Sequence, residues 1–133
     1  VRGKWEVDST AEVQKWLDDL SPQDTPRVSA ALDLLREGGP GLGRPMVDSV
    51  KGSRHHNMKE LRPRGGNIRV LFAFDPRRHA VLLVGGDKTN DWRGWYERNI
   101  PLADRLFDDH LKTIGGGEPW GPGAGRRSEP RCR

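Results

Sequence analysis

Four residues near the middle of the chain have types and spacing suited to acid–base chemistry on a phosphodiester: Glu60, Arg62, Arg69 and Lys88. The run Ile68-Arg69-Val70-Leu71-Phe72-Ala73-Phe74-Asp75 alternates with period two, the pattern of a half-buried strand. Ile68, Val70, Phe72 and Phe74 define its core face, so Arg69 points the other way. Leu61 belongs in the core too. Pairing it with Ile68 sets Glu60 opposite Arg69 and turns Arg62 to the same side. Pairing Asp75 with Ala80 across the next turn sets Asn67 opposite Lys88, which then shares that side. Lys59 is turned toward the helices, where it would have to snorkel. A carboxylate among cations is a workable set for cutting RNA. Glu60 could take the proton of a 2′-hydroxyl. Arg69 and Arg62 could stabilise the charge that builds on the phosphorane. The competing reading is an ordinary Glu60–Arg69 ion pair on a solvated sheet, and the residue pattern alone favours it.

The elements that must position this group follow from periodicity and breakers. His56–Arg62, Ile68–Asp75 and Ala80–Lys88 read as three strands, joined by turns at Pro63–Asn67 and Pro76–His79, hence an antiparallel meander. Upstream, Trp5-Glu6-Val7 reads as a short strand, and Asp8, Ser9 and Thr10 offer N-caps. Val13, Trp16, Leu17 and Leu20 form one helical stripe; Val28, Ala31, Leu32 and Leu35 form a second. Ser21-Pro22 separates them, which predicts an N-terminal helical hairpin. Gly38 to Pro45 reads as loop. Asp91–Asn99 and Leu102–Leu111 read as two C-terminal helices parted by Pro101. Trp92 and Trp95 lie on the first; they could stack on bases, but burial against the sheet is the expectation. From Gly115 onward, six Gly, three Pro and four Arg in 19 residues read as a flexible tail, 115–133, after one domain over 1–114.

Charge and composition narrow the class. No apolar run is long enough to span a bilayer, so no membrane is expected. Val1 to Glu6 does not read as a signal peptide. The single cysteine, Cys132, excludes an intramolecular disulfide and suits a reducing cytoplasm. Residues 51–98 carry 11 basic and 5 acidic groups, against 6 and 9 in residues 1–50. A basic module of this kind suits a polyanionic partner, although a solvated basic face is the simpler reading. Arg54, His55, His56, Lys59 and Arg64 are its RNA-binding candidates. For His55 and His56 a solvated loop is the plainer alternative, and without a third ligand they make no metal site. His110 reads as a helix C-terminal residue. No glycine motif follows a strand and opens a helix, so no cofactor is expected.

Met58-Lys59-Glu60-Leu61-Arg62, the strand Ile68–Asp75 and Gly85-Gly86-Asp87-Lys88-Thr89 together resemble the RelE/ParE/HigB toxins, closest to their phage-derived host-killer branch. Trp95-Tyr96 and Ile100-Pro101-Leu102-Ala103-Asp104 look like that branch too. The resemblance implies an α+β fold, with a helical hairpin packed on a twisted antiparallel sheet. It implies the toxin half of a type II toxin–antitoxin pair. Its partners would be mRNA, often on the ribosome, and a helix-turn-helix antitoxin from an adjacent gene. Enzymatic members cut RNA to a 2′,3′-cyclic phosphate. The implied roles are phosphate contact for Arg69, further basic contacts for Arg62 and Lys88, and a counterpart of the C-terminal tyrosine in Tyr96. Paired lysines of the family are reduced here to Lys88 beside Asp87. A gyrase-inhibiting toxin of the ParE type and a catalytically inactive nucleic-acid-binding module are the alternatives.

Overall fold

Glu60 and Arg69 lie on neighbouring strands of a five-stranded sheet, in the order β1-β5-β4-β3-β2. The computed structural model describes residues 5–115; the expected tail beyond Gly115, with Cys132, lies outside the described residues. The elements in chain order are β1 (Glu6–Ser9), α1 (Ala11–Asp18), α2 (Asp24–Gly38), a 3-10 turn (Gly39–Gly41), β2 (Val47–Ser49), β3 (Met58–Leu61), β4 (Ile68–Phe74), β5 (His79–Asp87) and α3 (Trp92–Gly115). The fold is therefore mixed α+β. The described chain opens on a strand, not on the helical pair.

The sheet is not wholly antiparallel: β1 pairs parallel to β5, Val7 opposite Ala80. A four-residue strand with no hairpin partner satisfies its backbone only on an open edge, and β5 supplies one. Thr10 then caps α1, accepting from Val13 N (3.2 Å) and donating to the Leu83 carbonyl (3.3 Å), which ties the helix start to β5.

Both faces of the sheet are buried. On the back face, Val13 of α1 and Ala31 and Leu35 of α2 pack with Val70, Phe72 and Leu82. On the front face, Trp95, Ala103 and Phe107 of α3 pack with Met58, Leu71, Ala73 and Leu83. This corrects the one-sided reading of β4. Leu71 and Ala73 share the face of Arg69 and are completely buried. The sequence pattern Arg69-Leu71-Ala73 is apolar after its first member, as a strand covered on both sides requires.

Two registers differ from expectation in instructive ways. Leu61 pairs with Val70 rather than Ile68. Arg62 N donates instead to the Met46 carbonyl (2.7 Å), and Pro63 has no N–H to offer β4. The two-residue shift is even, so Glu60 and Arg69 still share a face. Across β4 and β5, Phe74 pairs with Ala80, but Leu71 pairs with Val84, leaving Leu83 as the extra residue of a bulge. Beyond the bulge the expected register holds, and Lys88 N donates to Asn67 O (3.0 Å). The bulge brings Lys88 to the front face.

The two expected C-terminal helices are one. α3 runs through Pro101, where an interior proline costs ~3 kcal/mol. Its far half is anchored beyond the proline. Phe107 and Ala103 are in the core, and Asp104 accepts from Ser53 Oγ and Arg54 N.

Gly85 and Gly86 each admit a tryptophan from one layer. A β-carbon at Gly85 would overlap the Trp16 ring of α1, and one at Gly86 would overlap Trp95 of α3. Gly85→Ala is predicted to lower stability by about 1–3 kcal/mol, the usual cost of overpacking. Gly43→Ala, where a β-carbon meets open space, should change it little. Urea unfolding of the two variants checks the pair.

Candidate active site

On the front face, the end of β3 carries a carboxylate out of water. Glu60 is 3% exposed and both its oxygens are bonded. Arg62 Nε donates to Oε2 at 2.7 Å and Tyr96 Oη donates to Oε1 at 2.5 Å. Arg62 is oriented in turn by Asp48 of β2, Nη2 to Oδ2 at 3.2 Å. Arg69 lies on the other flank, with Nε 3.8 Å from Glu60 Oε2. Its Nη1 donates back to the Ile68 carbonyl at 2.8 Å. Arg69 Nε is buried and has no hydrogen-bond partner, alone among the described side-chain nitrogens and oxygens. A donor left so next to a charged group invites an acceptor. Glu60, Arg62 and Tyr96 line a cleft of about 240 Å³, walled by Ser49–Lys51 on one side and Ile100 on the other.

The environment tunes these groups. Burial, reinforced by the hydrogen bond and charge of Glu60, pushes the Tyr96 phenol up to about 12, so it holds its proton at neutral pH. The hydrogen bond to Glu60 raises Arg62 further above its ordinary value. Lys88 is only 2% exposed; burial, with the Arg69 charge next, lowers its ammonium pKa. Its Nζ sits over the Trp92 ring at 3.2 Å and the Tyr96 ring at 5.3 Å. Lys88 thus belongs to the group but lies sealed behind it.

The expected set Glu60, Arg62, Arg69, Lys88 and Tyr96 is therefore brought together. The flanking candidates are not. Lys59 pairs with Phe72 on the back-face side of β3 and is half-buried. Arg54 and His55 bind Asp108 of α3, His55 Nε2 at 2.8 Å from Oδ1, and the His55 ring meets Phe107 edge-on. His56 is exposed beside them. Arg64 lines a separate groove with Arg27, Ala30 and Leu34 of α2. Asp48 is the functional residue that sequence reasoning does not reach: Met46-Val47-Asp48-Ser49-Val50 has no period-two alternation, and a three-residue strand is too short to give one.

Comparison with known proteins gives the family. Residues 15–108 match the family described as phage-derived protein Gp49-like (DUF891). The chain belongs to the Gp49-like family and is related to HigB-type proteins. It is 51% identical over 106 residues to a Mycobacterium tuberculosis protein named "Putative toxin HigB3", covering 80% of this chain and 93% of that one. A second protein of that organism, "Putative toxin HigB2", is 47% identical over 108 residues; the match covers 77% of this chain and 54% of that protein. A chain of the archaeal RelE–RelB complex from Pyrococcus horikoshii has the same fold, with a TM-score of 0.52, 18% identity, 65% of this chain and 97% of that chain covered. No helix among the described residues is long and apolar enough to cross a membrane.

This Gp49-like domain holds a second polar cluster, at the opposite end of α3 from Tyr96. Asp75 accepts from His110 Nε2 (2.8 Å), Arg77 Nη2 (2.8 Å) and two backbone N–H groups, and its side chain is fully buried. Asp8 accepts from Arg77 and from His79 Nδ1 at 2.6 Å. Burial opposes the Asp75 charge, but the bonds from His110, Arg77 and His79 together outweigh it and hold the carboxyl below 3.8. A depressed carboxylate stabilises the fold above its unfolded value and loses that contribution as pH falls through the folded one. Wild-type stability should therefore decline from about pH 4 downward, and Asp75→Asn should be weaker at neutral pH with a shallower acid decline. Thermal melting of both proteins between pH 7 and pH 2 checks it.

Proposed function

We propose that the chain is the toxin of a type II toxin–antitoxin pair, acting as a metal-independent endoribonuclease on mRNA in the cytoplasm. The toxin domain would occupy residues 1–114. The observation that carries this reading is one cleft lined by a buried carboxylate, an arginine and a protonated phenol, with a second arginine, Arg69, flanking the carboxylate. The names of the relatives support the toxin role.

The chemistry runs as follows. Glu60 takes the proton of the 2′-hydroxyl, and the 2′-oxygen attacks phosphorus. The Arg69 guanidinium, flanking Glu60, stabilises the charge that builds on the phosphorane, and Arg62 helps from the cleft side. The P–O5′ bond breaks, and the 5′-oxygen takes the Tyr96 proton. The products are a 2′,3′-cyclic phosphate and a 5′-hydroxyl. The proton on Glu60 then crosses the 2.5 Å hydrogen bond to Tyr96 and restores both groups. The nucleophile belongs to the substrate and arginines meet the phosphate charge, so no step calls for a metal. Lys88, sealed behind the cleft, acts through its field on Arg69 rather than by contact with the RNA.

Glu60→Gln and Arg69→Ala should stay folded and each lose ~100-fold or more in cutting, the usual cost of removing a base or a preorganised donor. Mapping RNA 5′ ends after brief induction gives the cut sites. A message with a 2′-deoxy nucleotide at such a site should resist cutting there. Efficient cutting of the 2′-deoxy site would exclude intramolecular attack. Absence of cutting by the wild type, on or off ribosomes, would leave the gyrase-directed or purely binding readings.

The partner is a small helix-turn-helix antitoxin encoded next to the toxin. A protein of this fold occurs in a complex named RelE–RelB, which supports a protein partner. Co-expression with the neighbouring gene should relieve growth arrest and yield a stable complex on co-purification. Two proteins that never co-purify would count against the pairing.

A further inference from the structure

We propose that Trp92 is the platform on which a nucleobase beside the scissile phosphate stacks, and that it sets the base preference of cutting. The inference rests on the ribonuclease reading above and extends it to the substrate's bases.

Among the described residues, Leu34 and Trp92 are the large hydrophobic side chains left in water, and Trp92 is 58% exposed. Its neighbours on α3 are used by the fold: Trp95 is buried on Gly86, and Tyr96 reaches Glu60. The expected burial of Trp92 against the sheet does not occur; its ring meets the Lys88 ammonium, just after β5, instead. The Lys88 ammonium lies 3.2 Å from the indole centroid and is itself almost inaccessible. One face of the ring is thus fixed by a buried cation while much of the indole remains in water.

The ring is also in the right place. Lys88 touches both Trp92 and Tyr96, and Tyr96 touches Glu60, so contacts run unbroken from the exposed indole to the carboxylate. Trp92 and Tyr96 are one helical turn apart, roughly 6 Å between β-carbons, on one face of α3. A base stacked on Trp92 leaves its own phosphate within reach of the cleft. Every base has a π-face, so such a platform binds single strands broadly and prefers the bases that stack best.

The test compares wild type, Trp92→Phe and Trp92→Ala, with RNA 5′-end mapping in cells and kcat/KM on the free or ribosome-bound RNA that the mapping identifies. Trp92→Ala should lose about 10- to 100-fold in kcat/KM, chiefly through KM, the range expected for one stacked base. Its cut sites should lose their base preference at one flanking position. Trp92→Phe should restore most of the rate and a preference. Because the side chain is largely exposed, melting temperatures should agree among the three. Wild-type efficiency and base preference in Trp92→Ala overturn the proposal and leave the nuclease reading intact. A loss that Phe does not restore, with preference unchanged, overturns it as well. If Trp92→Ala cuts normally but escapes neutralisation by the antitoxin, the ring belongs to the protein interface instead. A wild-type protein that cuts no RNA removes the nuclease reading and this inference with it.

Discussion

The structure turns on one buried carboxylate. Glu60 is out of water, and an ionised group there costs several kcal/mol unless its oxygens are met by donors. Arg62, two residues along the same strand, supplies one donor; Tyr96, from the last helix, supplies the other. Asp48 of the edge strand β2 steadies Arg62. The site therefore needs β2, β3 and α3 in mutual register before it has any chemistry. Arg69 arrives from β4 with one buried donor still unmet.

The position of α3 follows from how its two halves are held. The first half rests on Trp95 over Gly86 and on the Tyr96–Glu60 bond. The second is fastened by Phe107, by Asp104 and Asp108 to the loop before β3, and by His110 to Asp75. With both halves fastened, the helix tolerates Pro101 in its middle. Basic residues that looked ready for RNA have a different use here. Arg54 and His55 meet the acids of α3, so part of the basicity of the middle segment is directed inward, holding the helix that carries Tyr96.

Much of this was legible in the residues, because local rules carried it. The period-two run at Ile68–Phe74 put Arg69 on the face opposite Val70 and Phe72, and that face is right. The helical stripes at Val13 and at Val28–Leu35 are the buried stripes of α1 and α2. Strand parity groups Glu60, Arg62, Arg69 and Lys88, and the fold assembles them; Tyr96 joins through the family resemblance and the hydrogen bond from α3. Even the wrong β3–β4 register preserved the face, since an even shift does not invert a strand.

Tertiary structure decided what local rules cannot reach. The edge that β1 joins is a matter of which strand is left open, and β1 alone does not know it. Whether Leu71 and Ala73 face water depends on α3 covering them from some thirty residues away. The bulge at Leu83 is a property of a pair of strands, yet it chooses the side on which Lys88 emerges. A proline reads locally as a helix end, but the anchors at Asp104 and Phe107 outweigh it. Exposure follows the same rule: Trp92 and Trp95 are three residues apart with the same side chain. One is buried and one is in water because glycine lies beneath the first and a lysine beneath the second. Side-chain periodicity is written in the chain, whereas burial is a relation between elements, and only packing settles it.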